Sequence, residues 1–327
     1  MTIDVPSGAT PPSGETGRPL GPPLPSAPIG PPPRSQWKLF LRAFLGHKPA
    51  VGALFVLIVM GVAVVFAHRI APYSNSPQLT SKVLEQSRKG PSAAHWFGTD
   101  EQGRDLLTRL LFAGRVSLTV GLVVAFVSGA IGIAIGSVAG YFGGVVDQLL
   151  MRTTDLFLVV PGIAVLAMAQ KGLDGKELPI VGTLSPSALI ISTLSLLFWQ
   201  PMARVVRGVV LSLKEKEFIE AARASGATGR RIIVRHLLPN MVGPIAVNIT
   251  LEVALAIISE STLSFLGFGL KPPDVSWGVM LANGESFVGT PQAYLIYFPG
   301  LALLLVVLCV NFLGDGLRDA LDPQSAK

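Results

Sequence analysis

The sequence predicts an all-α, polytopic membrane protein with six transmembrane helices, and three observations carry that prediction. Half of the 327 residues are apolar or aromatic and only 14% are charged, against about 25% in an ordinary soluble domain. Mean hydropathy is +0.56, and 26 Lys and Arg with 20 Asp and Glu are too few to cover the watered surface of a soluble domain this large. The apolar set is mainly Leu, Val, Ile, Ala and Gly with 7% aromatics, which suits packed helices better than a barrel with aromatic girdles. Cys309 is the single cysteine, so no internal disulfide or cysteine-built metal site is available, and it reads as a small buried side chain. The net charge of +6 fits basic cytoplasmic loops and asks for no nucleic acid.

Taken in order, residues 1–35 hold the first segment. Eleven of the 26 prolines and five glycines fall within the first 33 residues, a composition that resists helix and strand and predicts a disordered tail. Residues 36–116 then predict the first span, Pro49 to Ala67, an extracytoplasmic loop and an interfacial helix. The span is uncharged and about 28 Å long at ~1.5 Å per residue, close to the hydrocarbon core. No small-residue cleavage site precedes His68, so it reads as an uncleaved helix. Residues 117–323 form the remaining core, with charge-free intervals at Val116 to Val146, Leu178 to Ala203 and Ser286 to Gly314. Two further spans tolerate charge: Leu149 to Ala169 with Arg152 and Asp155, and Asn240 to Phe265 with Glu252 and Glu260. Charged spans face protein or a hydrated path, so both are expected inside a bundle. With both termini in the cytoplasm the inner segments hold sixteen Lys and Arg and the outer loops ten, as the positive-inside bias asks.

Gly132, Gly136 and Gly140, and a parallel row of Gly121, Ala125 and Gly129, recur every four residues on the second span. Such rows admit a neighbouring helix backbone. Gly98, Thr99 and Asp100 predict a turn, followed by Gly103, Arg104 and Asp105. Leu106, Leu107, Leu110 and Leu111 then make a short amphipathic helix at the interface, with Arg104, Thr108 and Arg109 turned away from the apolar side.

Catalytic constellations are missing from the sequence. There is no phosphate loop or dinucleotide fingerprint, so the chain cannot hydrolyse ATP alone. His47, His68, His95 and His236 are never paired at helical spacing, and no metal or cofactor site is expected. Ser259, Ser261 and Ser264 read as hydrogen-bonding residues of a helix. The conspicuous feature is the inner loop 204–239, which carries eight basic and three acidic residues. Lys214 to Ser225 predicts a helix with Phe218, Ile219 and Ala222 on its apolar face, and Gly226 a stop. Thr228 caps a second helix through Leu237, which Pro239 ends. Two short helices between two spans suit a groove on a soluble partner; a solvated loop that orients the chain by charge is the competing reading.

In this loop Glu220-Ala221-Ala222-Arg223-Ala224-Ser225-Gly226, with Leu238-Pro239 twelve residues after the glycine, resembles the EAA loop of bacterial ATP-binding-cassette (ABC) importer permeases. His95 to Arg109, running on through Gly114 to Leu118, is similar to the C-type subunits of dipeptide, oligopeptide and nickel importers. So are Leu263 to Leu270 with Pro272-Pro273 and Ser276 to Gly278, and Asn311 to Asp319. The resemblance covers roughly Gln36 to Pro323. It implies a type I ABC importer permease fold in the bacterial plasma membrane, with di- or oligopeptides as cargo. The implied partners are a second permease subunit, two ATPase domains that bind ATP and Mg, and an extracytoplasmic substrate-binding protein. In that scheme Glu220 and Arg223 make polar contacts to an ATPase, Ala221 and Ala222 allow close approach, Ser225 and Gly226 turn the chain, and Leu238-Pro239 closes the motif. Asn248, Glu252 and Glu260 are candidates for the translocation path, one and two helical turns apart; bonding to neighbouring helices is the alternative. Nickel-chelate, glutathione or haem cargo stays open, as do a secondary carrier or a membrane scaffold, which would need no coupling loop.

Overall fold

The computed structural model describes residues 36–74, 86–173, 177–178, 182–183, 185–270 and 274–321. The proline-rich segment, Pro272-Pro273 and the end beyond Leu321 lie outside them. The elements in chain order are α1 (Gln36–Gly46), α2 (Lys48–Val65), α3 (Ala67–Ile70), α4 (Leu106–Phe142), α5 (Gly144–Val159) and α6 (Gly162–Leu173). Then come the two-residue strands β1 (Glu177–Leu178) and β2 (Gly182–Thr183), α7 (Pro186–Leu213), α8 (Glu217–Ala224) and α9 (Gly229–Ile232). A π turn (Ile233–Leu237), α10 (Leu238–Asn240), α11 (Val242–Phe265), α12 (Trp277–Gly284) and α13 (Tyr294–Leu321) complete the described fold. α2, α4, α7, α11 and α13 are each long and apolar enough to cross a membrane. α5 and α6 bend by 79° at their junction and make a sixth span only as a broken pair.

Helix starts follow local chemistry. Asp105 caps α4 by accepting from Thr108 N at 2.8 Å, Ser185 caps α7 at Ala188 N with Pro186 in its first turn, and Ser276 caps α12 at Val279 N. Each oxygen satisfies a backbone donor that has no partner inside the helix.

Between apolar helices in lipid, close van der Waals packing replaces the hydrophobic effect as the source of association. The two small-residue rows of α4 seat two different helices. A Cβ on Gly132 would stand 2.6 Å from Trp199 O and Met202 Cβ, and one on Gly140 2.9 Å from Val210 Cβ, all on α7. On the other row, a Cβ on Gly121 would run into Ile257 of α11. α4 is therefore the central post, with α11 against the first half of its small-residue face and α7 against the second half. α13 packs on α11 and α2 outside them.

The helix ends sort into two layers. About two turns into α4, Gly114 meets Val64 and Trp277, and the helix ends where Tyr141 meets Gly229. At 37 residues it is about 55 Å long, well beyond a ~30 Å hydrocarbon core. The start of α11 meets the end of α13 at Gly243 and Leu321, and Ala50 near the start of α2 meets Gly316. The start of α2, the end of α13 and the 214–241 segment thus share one face, the loop end. Tyr294 Oη donates to Lys89 O and Thr99 O at the other, the far end.

Several expectations change. The helix expected at the interface is the first turns of α4, and Thr108 and Arg109 turn inward, 1% and 7% exposed. The reason is Asp100, whose carboxylate pairs with Arg109. The span expected at Leu149 to Ala169 is broken and peripheral in this chain, with Arg152 and Asp155 exposed. Pairing to α7, not burial, handles the acidic charge of α5: Arg204 donates to Asp155 at 2.6 Å and Arg207 to Asp147 at 2.5 and 2.6 Å. Those arginines lie within α7, so the 204–239 loop begins ten residues later than expected. Residues 286–293 form a 3-10 turn and loop ahead of α13 rather than the start of the sixth span.

Candidate functional site

At the loop end, α8 is shorter than expected, because Lys214–Lys216 form a turn before it. Ile219 is fully buried in a cluster with Met202, Val206, Ile232 and Met241, and Ala222 packs against the same cluster. That single apolar stripe fixes the helix. Glu217, Glu220, Ala221 and Ala224 face outward. Phe218, expected on the apolar face, is instead 42% exposed, since only residues three and four apart share a face.

The helix ends in a Schellman motif. Gly226 N donates to Arg223 O at 2.9 Å and Ala227 N to Ala222 O at 3.1 Å, with Gly226 at φ 76°. The space around Gly226 is empty, so a side chain there meets a backbone penalty alone, about 1 to 2 kcal/mol. Ser225 Oγ donates back to Ala221 O at 2.9 Å. Thr228 caps α9 at Arg231 N, as expected. The chain then stays helical through Asn240, beyond the expected stop at Leu237. The π turn over Ile233–Leu237 absorbs Pro239, and the break comes at Met241, φ −105° and ψ 2°. Leu238 is half-buried and Pro239 exposed.

Sequence reasoning missed Tyr141. The Arg223 guanidinium lies 5.4 Å over its ring, Gly229 leaves room for its edge, and Lys214 Nζ donates to Gly140 O beside it. Arg223 is therefore held by the end of α4 while still exposed. An aromatic two residues before the glycine that ends a span was the available signal.

The three candidates on α11 separate. Asn248 is half-buried and donates to Pro244 O of its own helix. Glu252 is 5% exposed, accepts from Ser128 of α4 at 3.1 Å through Oε2 and has no partner for Oε1 among the described residues. Glu260 is fully enclosed; it accepts from Ser264 at 2.7 Å and from Ser117 and Ser261 at 3.4 Å. Ser117 in turn accepts from Trp277 N, so Glu260 ties α11 to α4 and α12. Glu260 thus makes the bonds to neighbouring helices that the alternative reading expects.

At the far end Gly98, at φ 84°, lets the backbone approach Lys89 O and the Tyr294 ring, where a Cβ would be 2.7 Å from each. Thr99 Oγ1 donates to Gln86 O and accepts from Lys89 N. Asp100 accepts from Gln102 N, Arg104 N and Arg104 Nε, each at 2.8 Å, and from Arg109. Gly103 N closes the turn on Asp100 O, and Asp105 bonds His95 at 3.0 Å. The expected turn is present as a buried polar clasp. Beside it lies a cavity of about 870 Å³ bounded by this turn, the start of α4, residues 274–275 and α12.

Residues 132–327 match the family described as binding-protein-dependent transport system inner membrane component. Residues 35–91 match the N-terminal TM domain of oligopeptide transport permease C. The chain is 38% identical over 291 residues to the oligopeptide transport system permease protein OppC of Mycobacterium tuberculosis, covering 89% of this chain and 96% of that protein. It is 40% identical over 293 residues to the glutathione transport system permease protein GsiD of Escherichia coli O157:H7, covering 89% and 91%. Among solved structures, an inward-facing conformation of the MetNI methionine ABC transporter superposes with a TM-score of 0.53 at 19% identity, over 66% of this chain and 98% of that one; this likeness concerns fold.

Proposed function

This chain belongs to the family of binding-protein-dependent transport system inner membrane components, and we propose that its cargo is di- and oligopeptides, tripeptides such as glutathione included. It is a multi-pass permease of a bacterial ABC importer, a complex with other permease and ATPase subunits. It is not an enzyme and has no ATPase site of its own. The relatives' peptide cargo supports the substrate reading. The loop end supports the mechanism: α8 is pinned on one side by Ile219 and presents Glu220, Ala221 and Phe218 on the other.

In this reading the loop end faces the cytoplasm and α8 seats in a cleft of one ATPase domain, which binds ATP and Mg. A second permease subunit completes the conduit, and an extracytoplasmic binding protein delivers cargo at the far end. Closing of the ATPase pair moves α8 as a rigid body, and α7, joined to it by a three-residue turn, carries the displacement into the bundle. The Asp147–Arg207 and Asp155–Arg204 pairs pass it from α7 to α5. Glu252, with Asn248, lines the path in this scheme, and Glu260 locks the bundle.

Reconstitution of the complete importer in proteoliposomes tests both parts. Glu220→Lys and Gly226→Val should leave the subunit in the complex and lower peptide uptake per ATP hydrolysed by about tenfold. Normal coupling in both would refute the assignment of α8. Mass spectrometry of the ligand copurified with the cognate binding protein checks the cargo, and a non-peptide ligand would overturn it.

A further inference from the structure

We propose that the far-end cavity is a peptide-holding site on the permease itself, in which Asp274 receives the ammonium end of the cargo and Arg104 and Arg109 its carboxylate. The inference rests on the peptide reading above. At about 870 Å³ the cavity falls within the range of small-ligand sites, about 300 to 1,000 Å³, and has room for a few residues of peptide.

Its charges are set on different walls. On the α4 side, Arg104 and Arg109 share one carboxylate, Asp100, and Glu101, which also lines the cavity, is offset by Arg88 at 4.0 Å, so the clasp carries one positive charge in excess. Arg109 is 7% exposed and its Nε has no partner, an arrangement that leaves a buried cation short of acceptors. On the α12 side, Asp274 and Asn283 line the cavity, and neither has a hydrogen-bond or ion-pair partner among the described residues. Met280 and Leu295 supply apolar wall between them. A cationic pole, an anionic pole and an apolar middle match a short zwitterionic chain of variable side chains. The poles recognise what every free peptide has, and the middle makes no demand on sequence. The clasp fixes the cationic pole in advance, because Asp100 holds both guanidiniums, so little ordering is needed on binding. The cavity also lies about 55 Å along α4 from the loop end, so altering it leaves the ATPase contact untouched.

The test uses the complete importer in proteoliposomes, its loaded binding protein and a labelled tripeptide with free ends. Asp274→Asn should lower uptake about tenfold, the loss of one charge-assisted hydrogen bond. The half-saturating concentration of binding protein and the basal ATPase rate should stay as in the parent, and Asp274→Glu should recover most of the uptake. Asn283→Leu serves as a second variant with the same expected split. Parent-like uptake in both Asp274→Asn and Asn283→Leu would overturn the inference while leaving the peptide function standing. A rise in the half-saturating concentration of binding protein in place of an uptake defect would overturn it too, by making the cavity a protein-docking surface. A parent importer that takes up no peptide would overturn the cargo reading and this inference together.

Discussion

At the far end of the bundle, the charges of the clasp are held in contact with one another. Asp100 holds Arg104 and Arg109, Asp105 holds His95, and most of these side chains are buried. At the loop end, Glu217, Glu220, Arg230 and Arg235 stand exposed with no ion-pair partner among the described residues. Both ends are polar caps on the same helices, so membrane insertion alone cannot account for the contrast. Paired, buried charges rigidify a cap, since removing one partner strands the other. Unpaired, solvated charges contribute little to the chain that carries them and are free to meet a partner's. Under the proposed function the loop end therefore offers its charges to the ATPase, and the far clasp is built to keep its own shape.

The largest effect should come from breaking the far clasp. Asp100→Ala removes the acceptor of four donors and leaves Arg109 buried with no carboxylate, a loss of about 3 to 5 kcal/mol. The purified complex should melt well below the parent in a thermal unfolding assay. Glu220→Lys should leave the melting curve where it was, despite reversing a charge. If the two variants melt alike, the contrast between the ends fails.

Next in size is the joint between them. Gly132→Leu places a side chain against Trp199 O and Met202, and backbone cannot give way as a side-chain tip can. Overpacking of this kind costs about 1 to 3 kcal/mol or more. The expected result is reduced recovery of the subunit in the complex, with Gly52→Leu as control, because nothing lies within 4 Å of a Cβ there.

How much of this was legible depended on whether the information was local. Five of the spans, the Gly rows, the Gly226 stop and the Thr228 cap follow from composition, period and capping chemistry within a few residues. Helix ends did not, because α4 and α7 overrun the apolar intervals that mark them. Arg204 and Arg207 look like loop residues until Asp155 and Asp147, some fifty to sixty positions earlier, are brought beside them. Arg109 looked solvent-facing because its partner Asp100 lies nine residues back, outside any helical spacing. The cavity could not be read at all, since its two poles come from segments about 170 residues apart.

The smallest effects should separate the two buried carboxyls of α11. Glu260 has donors from Ser264, Ser117 and Ser261, so Glu260→Leu strands three hydroxyls and should destabilise by about 1 to 3 kcal/mol. Uptake per folded complex should be unchanged. Glu252 has one oxygen bonded to Ser128 and one without a partner, so its surroundings improve if α4 and α11 part and water or an amine reaches it. Glu252→Gln keeps the shape and the bond to Ser128, and should leave the melting temperature alone. If Glu252 meets the cargo in the open conduit, peptide uptake should fall severalfold. Unchanged uptake with unchanged assembly would remove Glu252 from the path and give both carboxyls the same locking role.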